Sequence, residues 1–272
     1  MQGGATMTRL FERPPRIEAL LALHCHSGAV GPGMIRRLPA PFAAIVIDVG
    51  SRQQWRPAGA SAWLPYPRVA LHGLMTCWSE ARFEAGRQNC LMALLQPWAV
   101  GPFLGASASD AVNRVIDLER VLPGWSAALL RELARADAPE DLLGKLEERV
   151  AARLKREPVD GQILDFLEAS RGSAGQLRLG DYARSVGRPQ RRLRCLVRES
   201  LGVAPKQWCI LSRFSANLLR LHPRPWERAP PVEPDYFDQA HEIHEFRRLA
   251  GITPGAYRRE KLAGDRRVYA AG

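Results

Sequence analysis

The stretch DYFDQAHEIHEFRRLAGITPGAYRR, residues Asp235–Arg259, reads as a short helix, a turn and the start of a second helix. Asp238 is a good N-cap, since its carboxylate can accept from the first free backbone N–H groups. Ile243, Phe246 and Leu249 then recur at helical spacing and give one apolar face. Gly251 is free to take the left-handed C-cap conformation, and Thr253-Pro254 supplies the next cap and first helical position.

The same design occurs forty-nine residues earlier. Gly202-Val-Ala-Pro-Lys-Gln-Trp208 recurs as Gly251-Ile-Thr-Pro-Gly-Ala-Tyr257, and the same shift carries Val197 onto Phe246 and Arg198 onto Arg247. Ahead of the first copy, Leu179, Tyr182, Ala183 and Val186 share one helical face. Gly187 permits a tight turn, and Pro189 fits the first position of the helix that follows. In that helix Leu193, Leu196 and Val197 point inward, leaving Gln190, Arg191, Arg194, Cys195 and Arg198 outside. A helix, a Gly turn and a second helix with an Arg- and Gln-rich outer face is the pattern of a helix-turn-helix, and small Ala183 lets the helices cross closely. Between the two copies Pro205–Leu221 can run as one helix of roughly 25 Å, with Trp208, Leu211, Phe214, Leu218 and Leu221 free to pack. Such a spacer could set two reading helices into successive major grooves, roughly 34 Å apart.

The charge follows this division. The chain of 272 residues carries a formal +11, yet residues 1–150 hold 16 basic and 14 acidic side chains while residues 151–272 hold 23 and 14. Arg171–Arg224 alone has twelve basic residues against two acids, Asp181 and Glu199. A field of one sign over such a length suits a polyanion, with counterion release driving association.

Before this region the pattern is different. Phe42–Gly50, Arg68–Met75 and Cys90–Leu95 read as strands between Gly/Pro breaks, which predicts a small β-rich domain. From Asp110 helices are expected: one marked by Ala111, Val115, Ile116 and Leu118, one by Leu129, Leu130 and Leu133, and one by Leu142, Leu143, Leu146 and Val150. Pro123-Gly124 and Ala138-Pro139 separate them. They could pack on the β domain, form a dimer interface, or do both. Pro158-Val-Asp160 then opens a helix with Ile163, Leu164 and Leu167 on one face.

Taken in order, the Ala183/Gly187 turn, GVAPKQW, Arg213, YFDQAH and GITPGAYRR resemble the DNA-binding domain of the AraC/XylS family of transcription regulators, over about Asp160 to Arg259. In the N-terminal part, Pro67–Gly73 and Leu91–Gly105 are similar to a sensor-like domain of one branch of that family. The fold expected is α+β: a small β-rich, barrel-like domain with helices (1–157), then an all-α domain (158–263). The latter holds two helix-turn-helix units, about 160–203 and 222–261, joined by a linker helix over about 205–221. Residues 264–272 form a tail.

By position in the family motif, Gln190, Arg191, Arg194 and Cys195 of the first unit, and Gln239, His241 and His244 of the second, would face bases. Arginine suits guanine and glutamine suits adenine, at about 1–3 kcal/mol of discrimination per bidentate pair. Arg198, Lys206 and Arg213 would hold phosphates, which fix register without reading sequence. The resemblance implies double-stranded DNA as partner, a homodimer, a small-molecule effector or a dimerisation role for the N-terminal domain, and RNA polymerase contact by an activator. No cofactor is implied.

The second unit departs from the family. Where an Ala-bearing helix is usual, Trp226–Asp235 carries Pro230, Pro231 and Pro234, each costing about 3 kcal/mol or more inside a helix, so this segment is expected to be short or irregular. Asp235 replaces the usual turn Gly. Glu242, aligned by the repeat with Leu193, is expected to tilt toward solvent, and His244 stands where Arg is common. A second reading is therefore a regulator-derived interaction protein whose second unit no longer engages DNA specifically.

Other chemistries find little support. His24-Cys25-His26 places two imidazoles on one strand face, a conceivable metal pair without an evident third ligand. His241 and His244 lie one helical turn apart. No P-loop, G-x-S-x-G, H-E-x-x-H or Rossmann glycine pattern occurs, so no enzyme is read. Five widely spaced cysteines without a C-x-x-C pair read as free thiols. With no long apolar run and no secretory h-region in MQGGATMTRLFERPP, a cytoplasmic address away from membranes is expected.

Overall fold

The computed structural model describes residues 9–50, 52–135, 138–154, 159–221, 232, 239–262 and 268–270. Its first part is β-rich: β1 (Arg9–Arg13), β2 (Leu20–Val30), β3 (Gly33–Leu38), β4 (Ala43–Asp48), β5 (Gln53–Pro57), β6 (Leu64–Pro65), β7 (Val69–His72), β8 (Ser79–Phe83), β9 (Gly86–Leu95) and β10 (Val115–Asp117). Two sheets result. One has the order β1-β2-β9-β4-β7-β10, with every pairing antiparallel, and the other contains β3-β8-β5-β6.

Strand periodicity gives the larger sheet two unlike faces. In register, Leu23 and Ile45 both oppose Ala93, while Ile47 opposes Leu91 and Val69. This face is buried under α1 (Val100–Leu104), α3 (Pro123–Leu133) and α4 (Pro139–Leu154), through Phe103, Leu129, Leu143, Leu146 and Val150. Of the two roles open to the helical segment, packing on the β domain is observed. The alternate residues His26, Cys90, Asp48 and His72 point to the other sheet and build a polar chamber.

The helix expected from Asp110 does not form. Ala108–Ala111 makes a single 3-10 turn, Val115–Asp117 becomes β10 beside β7, and only Leu118–Val121 (α2) is helical. Adjacent β-branched Val115 and Ile116 fit the open edge of β7, opposite His72 and Leu71, better than a helix. Asp117 then caps α2, its side chain accepting from Glu119 N at 3.0 Å. The strand foreseen over Arg68–Met75 is also shorter, ending at His72. At Gly73 the chain presses on Ala111 so closely that a Cβ would lie 1.8 Å from its carbonyl oxygen.

The second part is helical: α5 (Gly161–Gly172), α6 (Leu179–Ser185), α7 (Gln190–Leu201), α8 (Pro205–Leu221), α9 (Gln239–Ala250) and α10 (Pro254–Leu262). Asp160 caps the start of α5, its side chain accepting from Gln162 N at 2.9 Å. Two cores follow. Ile163, Phe166, Val197, Leu201, Trp208 and Leu211 pack together with Leu74 of the β domain. Phe214, Leu218, Phe246, Leu249 and Tyr257 pack with Leu38 and against Trp78. One helix, α8, thus serves both cores, and each buried Leu or Phe contributes about 1.5–3 kcal/mol.

The chain returns to the β domain at its far end. β11 (Val268–Ala270), within the stretch foreseen as tail, lies parallel to β3 and heads the smaller sheet, with Val268 opposite Arg36.

Candidate nucleic-acid interface

The first helix pair is built by a left-handed turn at Gly187 (φ 61°), where a side chain would find open space but a strained backbone. Val186, foreseen as part of the apolar face, is 40% exposed at the end of α6. Pro189 is the N-cap of α7, one position earlier than expected. Leu193, Val197 and Leu201 bury one side of α7. Gln190, Arg191, Arg194, Cys195 and Arg198 form the opposite, exposed side together with Arg192. Among the described residues, none of the four arginines on this helix has a carboxylate partner. Exposed Lys206 follows at the start of α8. This is a cationic ridge on a helix of 12 residues.

The repeat seen in the sequence is also a repeat of structure. A shift of forty-nine residues maps α7 onto α9, both of 12 residues, and Pro205 at the start of α8 onto Pro254 at the start of α10. The two C-cap glycines keep the same left-handed conformation, Gly202 at φ 76° and Gly251 at φ 71°. Thr253 Oγ1 accepts from Ala256 N at 3.2 Å, the cap expected for α10. Gln239 is the first residue of α9, and His241 and His244 are exposed along it with Arg247 and Arg248. Asp238 and the proline-rich Trp226–Asp235 lie outside the described residues, apart from Val232.

Two expectations are corrected at the joint between α8 and α9. Glu242 does not tilt to solvent: it accepts from Asn217 Nδ2 at 2.8 Å and pairs with Arg220 at 3.3 Å, leaving its side chain 20% exposed. The slot that Leu193 fills with apolar carbon in the first unit is polar here. Arg213, assigned to phosphate, instead donates Nε to Glu245 Oε1 at 2.9 Å and a terminal nitrogen to Oε2 at 2.6 Å. With both side chains largely buried, the pair fastens two helices rather than reaching outward. Sequence reasoning missed Glu245 and Asn217, whose only signal was a polar residue on an inward helical face.

The second candidate region is the chamber between the sheets. Buried Asp48 accepts from Gly50 N at 2.8 Å and from the Gln53 side chain, while Arg37 donates to Gln53 Oε1 at 3.4 Å. Arg37 also lies over the Tyr66 ring, 4.8 Å from its centroid, and the Tyr66 hydroxyl bonds to His72 Nε2. Burial governs ionisation here. It pushes the Asp48 carboxyl, the Tyr66 phenol and the Cys90 thiol upward, and lowers His72, with Arg37 adding to that effect. His72 is therefore neutral and Cys90 protonated near pH 7. A cleft of 480 Å³ opens beside this cluster, lined by Asp48, Arg52, Gln53, Tyr66 and Arg68. Among the described residues no group of three or more His, Cys, Asp or Glu side chains is placed to hold a metal ion. The five thiols are free, with Cys195 exposed and Cys209 buried. No helix among the described residues is long and apolar enough to cross a membrane.

No protein-family model matches this sequence, and no curated protein matches it. Among solved structures, the chain is similar to ToxT from Vibrio cholerae O395, at 8% identity and a TM-score of 0.46, covering 87% of this chain and 96% of that one. It is similar to unsaturated fatty acid bound wild-type ToxT from Vibrio cholerae strain SCE256, at 9% identity and 0.47, covering 95% and 96%. It is also similar to the AraC-like transcriptional activator CuxR, at 14% identity and 0.33, covering 74% and 77%.

Proposed function

We propose that this protein is a sequence-specific, double-stranded-DNA-binding transcription regulator of the AraC/XylS type, acting in the cytoplasm rather than as an enzyme. The observation that carries the reading is the repeated pair of 12-residue helices, α7 and α9, with the first presenting exposed arginines that no described carboxylate neutralises. Arg191, Arg194, Gln190 and Cys195 read base edges, His241, His244 and Gln239 do so from the second unit, and Arg198 and Lys206 clamp phosphates. Binding as a homodimer on paired sites, and contact with RNA polymerase as an activator, belong to the same proposal. The cleft beside Tyr66 suits a small polar effector, because it offers Arg52 and Arg68 beside hydrogen-bonding Gln53 and Asp48.

The test is a footprint on the DNA flanking the protein's own gene. Protection of two adjacent major-groove segments supports the reading. No sequence-dependent protection at moderate salt overturns it. The acidic inner face of α9, with Glu242 and Glu245, favours a second reading in which the second unit has lost specific contact. A single protected segment would select it.

A further inference from the structure

We infer that the segment His72–Trp78 couples the inter-sheet chamber to both helix-turn-helix units. At its first end His72 bonds to the Tyr66 hydroxyl, at the wall of the cleft, and the two rings lie 5.5 Å apart. Two residues on, Leu74 is buried to 2% exposure in the core of the first unit, with Ile163, Phe166 and Val197 of α7. At the other end Trp78 packs into the core of the second unit. Its backbone N–H donates to Leu249 O at 2.8 Å, satisfying a carbonyl in the last turn of α9. A single short strand of chain therefore touches the chamber and the cores behind both outward-facing helices.

The segment is held so that its ends move together. Asn113, itself at positive φ (57°), accepts from Thr76 N at 2.7 Å and donates to Thr76 Oγ1 at 2.8 Å, while its own N–H bonds to Leu74 O at 3.0 Å. Gly73 donates to Arg114 O at 3.1 Å, with no room for a side chain. Beyond, Gly251 at the α9 cap lies directly against the Trp78 indole, where a Cβ would come within 2.7 Å of Nε1. Arg36 lies over that indole at 4.5 Å and is itself fixed by Glu80 at 3.1 Å. With Gly73 pressed on Ala111 and Gly251 on Trp78, a shift of His72 passes along the segment to Leu74 and Trp78. Any such coupling is reciprocal: what moves α9 also moves the chamber.

The inference draws its functional meaning from the proposed DNA reading, but its test uses neither DNA nor effector, so the two can fail separately. Hydrogen exchange is measured on the full chain. Tyr66→Phe removes the bond to His72 and keeps the ring. It should speed exchange severalfold at residues 74–78 and 246–251, and measurably at 194–202, with α3 unchanged. Trp78→Leu should speed exchange at 246–251 and also, in the reverse direction, at 66–72. Changes that stop at His72, or that spread evenly over the chain, overturn the coupling. So does a Trp78→Leu response confined to α9. Should Tyr66→Phe fail to fold, Asn113→Ser gives the same decision: residues 74–78 and 246–251 must respond together, and either one alone overturns it.

Discussion

Arg213 and Glu245 meet at two points between α8 and α9, with guanidinium nitrogens 2.9 and 2.6 Å from the two carboxylate oxygens. Removing Glu245 takes from Arg213 a two-point carboxylate partner in a largely buried joint, a loss of up to about 3–5 kcal/mol. Glu245→Ala should therefore lower the urea midpoint strongly. The double replacement Arg213→Met with Glu245→Leu should recover most of that loss, because paired burial costs desolvation as well as giving attraction. A Glu245→Ala midpoint equal to that of the parent protein would remove the joint from the account.

Three left-handed glycines predict a graded series. Gly187→Ala meets nothing within 4 Å and should cost only the backbone penalty, about 1–2 kcal/mol. Gly202→Ala adds a Cβ at 2.7 Å from the Ala108 backbone, and Gly251→Ala adds one at 2.7 Å from the Trp78 indole. Both should cost more than Gly187→Ala in thermal denaturation, with Gly202→Ala the worst, since backbone yields less than a ring.

On DNA, the two classes of contact should separate. Arg191→Ala and Arg194→Ala should each weaken the preferred site by about 1–3 kcal/mol while changing random DNA much less. Arg198→Ala and Lys206→Ala should weaken all sequences alike and reduce the slope of log K against log salt by about 1 each. Fluorescence titrations at several salt concentrations distinguish these outcomes. Equal effects on specific and random DNA for Arg191 and Arg194 would move them to the phosphate class.

Cys195 offers a direct probe of the same face. It is exposed on α7, whereas Cys209 is buried with its thiol pushed up by desolvation. A maleimide should label Cys195 rapidly in the folded protein and leave Cys209 unmodified. Bound specific DNA should slow the Cys195 reaction. A labelling rate indifferent to saturating DNA would place that side of α7 away from the groove.

The chamber gives a pH dependence whose sign follows from His72. Its folded-state pKa lies well below 6.5, so the unfolded state takes up the proton first and stability falls as the pH drops below about 6.5. The slope contributed is at most about 1.4 kcal/mol per pH unit. Asp48, raised by burial, has the opposite sign: it favours the fold at the acid end and loses that contribution as the pH rises through its folded pKa. Denaturant midpoints between pH 7 and 5 should thus fall in the parent protein and fall less in His72→Gln.

Much of the helical part was legible because its signals are local. The limits of α8 follow from Pro205 and the spacing of Trp208, Leu211, Phe214 and Leu218, and the 49-residue shift announces that α9 repeats α7. The misreadings have non-local causes. Val115 and Ile116 fit a helix by spacing, and only the vacant edge of β7 decides for a strand. Arg213 looks like a phosphate contact until Glu245 arrives from 32 residues along the chain. Leu74 falls inside the strand expected over Arg68–Met75 and Trp78 just beyond it, and nothing nearby shows which cores they enter. The alternating polar residues of β4 and β9 do fit a one-sided strand, but which side chains meet across the chamber depends on a second sheet.

The pairing of β11 with β3 bears on how the protein is made. Arg36 meets Val268 across that ladder, so the smaller sheet closes over most of the chain's length. Until the ribosome has passed residue 270, β3 has a partner on one side only, and a growing chain carries an open strand edge through most of its synthesis. Shortening the protein before Val268 would make that interval permanent. Such a truncated chain should self-associate at concentrations where the chain that keeps Val268–Ala270 stays dispersed, which light scattering during expression or refolding would register.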